Sequence, residues 1–393
     1  MTDLLFFTLF FLAIAIGWVL GRRSSRGSVS DGYFLGGQAP DEADAANALR
    51  VLADELPSEA SQTHRRMALA AQLRLRGEVD GAVRLHRELL DKDTLPERDH
   101  HQIQLELAKD FISAGLLDRA EQLLLQLVKE SEEQAQAARD HLLDIYETER
   151  DWSSAINIAK SLLSCEAPVS VAYADSKSAL HTATRLAHYA CELGQDKQRE
   201  GNLTVARDLF QEALVQDSKC VRASLLLAQL ELAERRYSKA IESLREVRNQ
   251  DPDYVPETVE PLAHCYDALG DDVSLQHYLM ECLAQHPTAG LVCAIAQEIK
   301  IKEGAQAASE FLSVQLGQRP SLAGLSQFVE WHRSADGNAS FAELEVVQSL
   351  TNRLAAAMPN YRCVQCGFAS KQLHWHCPGC KRWGSIKAID GVA

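Results

Sequence analysis

The stretch VRASLLLAQLELAERRYSKAIESLREVRNQDP, residues 221–252, decides the fold. Its first half carries Leu227-Ala228, its second carries Ala240, Leu244 and Val247, and Asp251-Pro252 closes it. Apolar residues three and four apart form one helical face, so the stretch predicts two amphipathic helices joined by a short turn. Ala228 and Ala240 have a steric purpose. Small residues on facing sides let two helices cross closely, while larger residues on the flanks bury against the next pair.

The same pattern starts at His101, with Leu107-Ala108, Phe111, Ala120, Leu124 and Leu127. Ala82, Ala155, Ala206 and Ala308 hold the alanine place in other copies, and Ser274 replaces it in one. The steps between successive markers are 38, 35, 51, 34, 34 and 34 residues. An irregular helical domain with chance alanines does not give three consecutive steps of 34, which is the period of the tetratricopeptide repeat. The expected fold is an all-α tetratricopeptide solenoid over residues 63–318. The 51-residue step predicts an insertion or an elongated helix pair near Ser164–Gly201. The inner face of such an array binds extended peptides or helices. Arg185, His188 and Arg222 are candidates to line it, with a solvated face as the plainer reading. Residues 319–358 predict two capping helices, Leu322–His332 and Phe341–Met358, joined by a turn at Asp336-Gly337-Asn338. Ser340 with Glu343 caps the second, and Pro359 stops it.

The tail at 359–393 reads Cys363-x2-Cys366, ten residues, then Cys377-x2-Cys380. Each Cys-x2-Cys lets a tight turn aim two sulfurs at one point, and two facing turns make a closed tetrahedral site suited to zinc or a single iron. Gly367 and Gly379 supply the backbone freedom such turns need. The metal is expected to provide the folding energy of so short a segment. Two disulfides, or a redox pair at Cys377-Pro378-Gly379-Cys380, are the alternatives; the redox pair wants a βαβ context that the tail is too short to supply. Four sulfurs leave no open position, so the site reads as structural, with His374 and His376 as packing or surface residues. Arg362, Lys371, Lys381, Arg382 and Lys387 are expected to balance the thiolates. The short linker after Pro359 implies that the tail packs on the last repeats.

At the other end, Leu4–Leu20 is an uncharged run of seventeen residues between Asp3 and Arg22-Arg23. A helix of that length spans roughly 26 Å, near the short limit for a bilayer. A signal peptide carries its positive charge before the apolar run, and here Arg22, Arg23 and Arg26 follow it. The run is read as an uncleaved transmembrane anchor, residues 1–21, with the bulk of the chain on the cytoplasmic side. Gly17 and Gly21 are spaced to pack against another helix. Residues 22–62, with a marked acidic excess, read as a juxtamembrane tether.

The formal net charge, 40 − 55 = −15, argues against a nucleic-acid partner, which needs a basic surface. Cys165, Cys191, Cys220, Cys265, Cys282 and Cys293 lie in apolar helical patterns and read as small buried residues, in keeping with a reducing compartment. No Walker A loop, Gly-x-Gly-x-x-Gly, His-Glu-x-x-His or Gly-x-Ser-x-Gly occurs, so the chain reads as a binding scaffold and not an enzyme.

The layout as a whole resembles the lipopolysaccharide assembly protein B family of Gram-negative bacteria. The resemblance rests on the anchor followed by Gly21-Arg22-Arg23, the repeat array, Tyr361-Arg362-Cys363-x-x-Cys366-Gly367-Phe368, and Trp375-His376-Cys377-Pro378-x-Cys380 with Trp383. It implies an inner-membrane protein whose rubredoxin-like domain holds one iron ion at Cys363, Cys366, Cys377 and Cys380, with zinc as the alternative that spacing alone leaves open. It further implies an adaptor that restrains lipopolysaccharide synthesis by promoting degradation of the lipid A pathway deacetylase LpxC by the membrane protease FtsH. An inner-membrane regulatory protein would oppose it through the anchor, and other lipopolysaccharide assembly proteins would gather on it. A general assembly scaffold, a redox or electron-transfer protein and a zinc-ribbon nucleic-acid binder are the rival classes, and a homo-oligomer stays open.

Overall fold

The computed structural model describes residues 59–92, 95–164, 175–335, 349–354 and 357–389. The expected anchor, nearly all of the tether, the 336–338 turn and Ser340 lie outside these residues, as does most of the second capping helix, of which 349–354 are helical. The chain forms two compact units, Met1–Gln72 and Leu73–Ala393. Their boundary falls within α1 (Glu59–Leu75), and the described part of the first unit is helical.

The second unit is a run of helix hairpins followed by a small sheet. After α2 (Val79–Leu90) come the pairs α3 (Glu97–Ser113) with α4 (Leu117–Glu130), α5 (Glu132–Glu149) with α6 (Trp152–Ser164), and α7 (Asp175–Arg199) with α8 (Leu203–Gln216). Next are α9 (Val221–Ala233) with α10 (Tyr237–Gln250), a 3-10 turn (Pro252–Thr258) leading into α11 (Val259–Leu269) with α12 (Asp272–Gln285), and α13 (Ala289–Glu303) with α14 (Ala305–Gln318). The last described full helix is α15 (Leu322–Ala335).

The alanine pattern has a clear structural counterpart. Ala82, Ala120, Ala155, Ala206, Ala240 and Ala308 are each the fourth residue of a hairpin's second helix, and each is wholly buried. A bare methyl at that place lets the two helices of a hairpin approach. Ser274 does not hold the place expected for it: it lies exposed at the start of α12, and Leu275, 3% exposed, is the fourth residue there. The 51-residue step is accounted for in part by α7, a helix of 25 residues, while residues 165–174 lie outside the described set. Gly194 inside α7 gives Phe210 of α8 room to lie against the helix, because a Cβ there would fall 2.4 Å from the ring.

Cys191, Cys220, Cys265 and Cys282 are buried and Cys293 is half-buried, as small core residues, while Cys165 lies outside the described set. The tail folds as a three-stranded antiparallel sheet in the order β2-β1-β3, from β1 (Tyr361–Cys363), β2 (Ala369–Ser370) and β3 (Ile386–Ala388). Tyr361 pairs with Ser370 on one side and with Ala388 on the other.

Candidate metal centre

Two loops of the same design bring four sulfurs together. In the first, Cys363 N–H donates to Phe368 O at 2.7 Å and Gly367 N–H donates back to Cys363 O at 3.0 Å. In the second, Cys377 N–H donates to Arg382 O and Lys381 N–H donates to Cys377 O, both at 2.9 Å. Each loop needs a left-handed residue four places after its first cysteine. Gly367 fills that place with φ 77°, and Lys381 fills its counterpart with φ 58°. Gly379, expected to supply backbone freedom, serves by its missing side chain, since a Cβ there would stand 3.2 Å from Cys366 Sγ.

The four sulfurs lie within 4.8 Å of one another. Cys363 Sγ is 3.7 Å from Cys380 Sγ, and Cys366 Sγ is 3.7 Å from Cys377 Sγ. A tetrahedral ion with metal–sulfur bonds of about 2.3 Å sets sulfur–sulfur edges of about 3.8 Å, so the donor set fits a metal in both chemistry and size. Bonded sulfurs would lie at about 2.05 Å, and all four are free thiols, which removes the disulfide alternative. Gln365 N–H donates to Cys363 Sγ at 3.4 Å, and Ser385 Oγ lies at the same distance. Burial opposes ionisation of Cys363, but hydrogen bonds with Ser385, Cys366 and Gln365 outweigh it and bring the thiol down to about 6, while burial and the three neighbouring sulfurs push Cys366 up to about 11. His374 and His376 stand outside the cluster. His374 Nε2 is 3.1 Å from Ser370 Oγ, and His376 stacks on Trp383 at 4.5 Å between ring centres.

The knuckle packs on the middle of the array, in place of the last repeats expected from the short linker. Trp383 is the anchor and is 9% exposed. His188 of α7 stacks on its ring at 4.9 Å, and Trp152 of α6 and Tyr189 of α7 meet it edge-on. Arg222 of α9 lies 5.9 Å above the same ring. Trp383 Nε1 donates to Glu147 Oε1 of α5 at 3.0 Å. The same oxygen accepts from Tyr189 OH at 2.5 Å and from Arg185 Nε at 3.1 Å. Arg185, His188 and Arg222, read as candidates for an open groove, are therefore held under the knuckle.

A second patch of contacts lies at the 3-10 turn. Tyr254 stacks on Trp375 at 5.4 Å and donates from its hydroxyl to Ile386 O at 2.7 Å. Tyr361 OH donates to Glu257 Oε1 at 2.6 Å. Lys387, expected to balance the thiolates, instead pairs with Asp251 and with Asp253 at 3.4 Å, and lies 4.7 Å over the Tyr254 ring. Burial alone would raise the Asp253 carboxyl, but His286 and Lys387 hold it below the usual carboxylate range. His188 is 3% exposed, and burial, with Arg222 and His376 nearby, lowers it to about 3, so it is neutral in the docked state. Sequence reading missed Glu147, Tyr189 and Tyr254. The aromatics gathered in the tail, Tyr361, Phe368, Trp375 and Trp383, were the available signal.

A protein of Haemophilus influenzae named lipopolysaccharide assembly protein B is 32% identical over 406 residues, covering 98% of each chain. The chain belongs to the lipopolysaccharide assembly protein B family. The Escherichia coli K12 member is 29% identical over 99% of this chain and 98% of its own length. The family's knuckle model, described as a rubredoxin metal binding domain, matches residues 361–388, and a tetratricopeptide repeat model matches 191–255. Among solved structures, a tetratricopeptide repeat protein from Parabacteroides merdae aligns at 13% identity with a TM-score of 0.33, covering 74% of this chain and 98% of that one. In this member the family's metal-binding domain is present as a four-cysteine site docked on a helical repeat scaffold. Among the described residues no helix is long and apolar enough to cross a membrane; Leu4–Leu20 is not among them.

Proposed function

We propose that this chain is a membrane-tethered cytoplasmic adaptor that lowers lipopolysaccharide synthesis by presenting the lipid A pathway deacetylase LpxC to the protease FtsH. The observation that carries the reading is membership, over nearly the whole length, in a family named for lipopolysaccharide assembly. The proposed layout is an anchor at 1–21, a tether at 22–62, repeats at 63–318, capping helices at 319–358 and the metal domain at 359–393. Cys363, Cys366, Cys377 and Cys380 are the proposed ligands of one iron, with zinc as the alternative. Bound there, the ion supplies the folding energy that shapes the knuckle.

The adaptor reading is physically economical. Client and protease held on one membrane meet at high effective concentration, so a weak client contact suffices. The knuckle covers the middle hairpins and the 3-10 turn, which leaves its own outer face and the flanking hairpins to take the client.

The test is a pulse-chase of the deacetylase in cells carrying the intact chain or the Cys363→Ser, Cys366→Ser double variant, with abundance and membrane location of the variant followed in parallel. The expected result is a long-lived deacetylase beside an abundant, membrane-bound variant. An unchanged half-life in cells lacking the whole protein would refute the adaptor and favour a general scaffold for lipopolysaccharide assembly enzymes.

A further inference from the structure

The alanine rule fails at one hairpin, and the helix that breaks it borders a crevice. Where six second helices carry a buried alanine as their fourth residue, α12 carries Leu275. A leucine holds helices further apart than a methyl does. Accordingly, α12 packs less closely on α11 and α13 than the other second helices pack on their neighbours. On the side of the next hairpin, α12 is separated from α13 and α14 by a crevice of about 630 Å³. Its lining is mostly apolar and includes Leu275, Leu279, Met280, Ile295, Ile299 and Phe311. At its mouth Val273 is 80% exposed and Met280 48% exposed, although both are large apolar residues. Water gains nothing from such a surface, and an apolar partner does.

The charges around the crevice say what kind of partner fits. Lys302 is already engaged by Asp267 at 2.7 Å and by Asp272. Glu298, half-buried in the wall, has no ion pair among the described residues. Burial raises its carboxyl; Lys302 opposes the shift, while Asp267 and Glu260 add to it. A carboxylate in that setting is short of a cation. No knuckle residue lines the crevice.

We propose that the crevice between α12, α13 and α14 docks an amphipathic helix of a partner protein, with its apolar face on Leu279, Met280 and Ile299 and a lysine or arginine at Glu298. The wall residues of α12 run from Asp272 to Met280, roughly 13 Å, enough for about two and a half turns of the incoming helix. Apolar anchors at helical spacing give the affinity, and the basic residue sets orientation and excludes acidic helices. The proposal deepens the adaptor reading by naming a client or partner surface, and it rests on that reading for its biological use.

The experiment uses the full chain in detergent and two fluorescein-labelled 18-residue model helices, one of leucine and lysine and one of leucine and glutamate, read by anisotropy. The leucine–lysine helix should bind and the leucine–glutamate helix should not. Glu298→Lys should weaken binding about tenfold by reversing a wall charge that the incoming basic residue needs, and Glu242→Lys, an exposed reversal on α10, should change it less than about twofold. Met280→Glu is the deciding variant. It makes the chain more acidic, so diffuse attraction would grow, whereas docking in the crevice should fall about tenfold. Circular dichroism confirms that each variant keeps its helices. The proposal is overturned if Met280→Glu leaves binding unchanged or strengthens it, or if Glu242→Lys weakens it as much as Glu298→Lys. Crevice binding without any effect of the protein on deacetylase turnover would sink the adaptor reading alone. Turnover that depends on the protein while the model helix fails to bind would sink this proposal alone.

Discussion

Gly194 shows how packing overrules propensity at a single residue. Alanine is favoured over glycine in a helix interior by up to about 1 kcal/mol. At this place in α7, however, a Cβ would lie 2.4 Å from Phe210 Cε1 and 2.8 Å from Cδ1. Phe210 is wholly buried and has nowhere to retreat. Gly194→Ala is therefore expected to lower stability by about 1–3 kcal/mol, the usual cost of overpacking, in urea denaturation. A gain in stability would mean the ring moves freely. Lys381 presents the opposite case. It holds φ 58° where the partner loop uses Gly367. A left-handed conformation costs an ordinary residue about 1–2 kcal/mol, part of which glycine returns through its freer unfolded chain. Lys381→Gly should stabilise the knuckle by about 1 kcal/mol, measured as slower loss of metal to a chelator. Faster loss would show that the lysine side chain contributes more than its backbone costs.

At the scale of elements, the docking of the sheet on α5, α7 and α9 has a built-in pH dependence. His188 is lowered from 6.5 to about 3, chiefly by burial and then by Arg222 and His376. Below pH 6.5 the unfolded chain takes up a proton that the folded His188 refuses until pH about 3. Its contribution thus falls as pH drops through that window, by at most about 1.4 kcal/mol per unit. From pH 7.5 to 5 the wild-type chain should lose up to roughly 2 kcal/mol by this route, and His188→Gln should show a flatter profile over the same range. Asp253, held low, stays ionised there; its stabilising pairs are lost only as pH falls through its depressed value. Equal slopes for wild type and variant would show that His188 is not the titrating group. The elements themselves were largely legible. Alanine at the fourth place of each second helix is a local requirement of close helix crossing, and it survives in the sequence at Ala120, Ala240 and Ala308. It misled only at Ser274, because a leucine can occupy the place if the hairpin opens, and a fixed step of 34 does not register a shift of one residue. The four cysteines were legible because their spacing alone forms the loops. Their seat was not: Trp383 meets Glu147 across 236 residues of chain, and no periodicity encodes a contact of that range.

For the whole molecule, the two sources of order are unequal. The array is stabilised by successive buried clusters along its helices, such as that around Leu244, Leu262 and Ile295 and that around Leu124, Leu142 and Ile156. Each hairpin leans on its neighbours, so stability is distributed and local loss is tolerated. Among the described residues, the knuckle's own core is Cys363, Cys377 and Ile386, with partial cover from residues such as Tyr361, Phe368 and Leu373. Structural metal ions of this type are worth about 10–16 kcal/mol to a small domain, far more than three buried side chains supply. Stripping the metal, or changing Cys366 to Ser, should therefore unfold residues 361–388 while leaving most of the helical signal intact. The effect should then travel by contact. Trp383 and Trp375 leave their seats, and Glu147, Tyr189, Arg222 and Tyr254 face water. Hydrogen exchange should accelerate strongly across the tail, moderately in α5, α7 and the 3-10 turn, and little in α13 and α14, with a red shift of tryptophan emission. If exchange rose evenly along the array instead, the knuckle would be a keystone of the whole solenoid and its metal would set the stability of every repeat. If α5 and α7 kept their protection, the covered face would be rigid without its cover, and loss of metal would leave a preformed aromatic groove open to other chains.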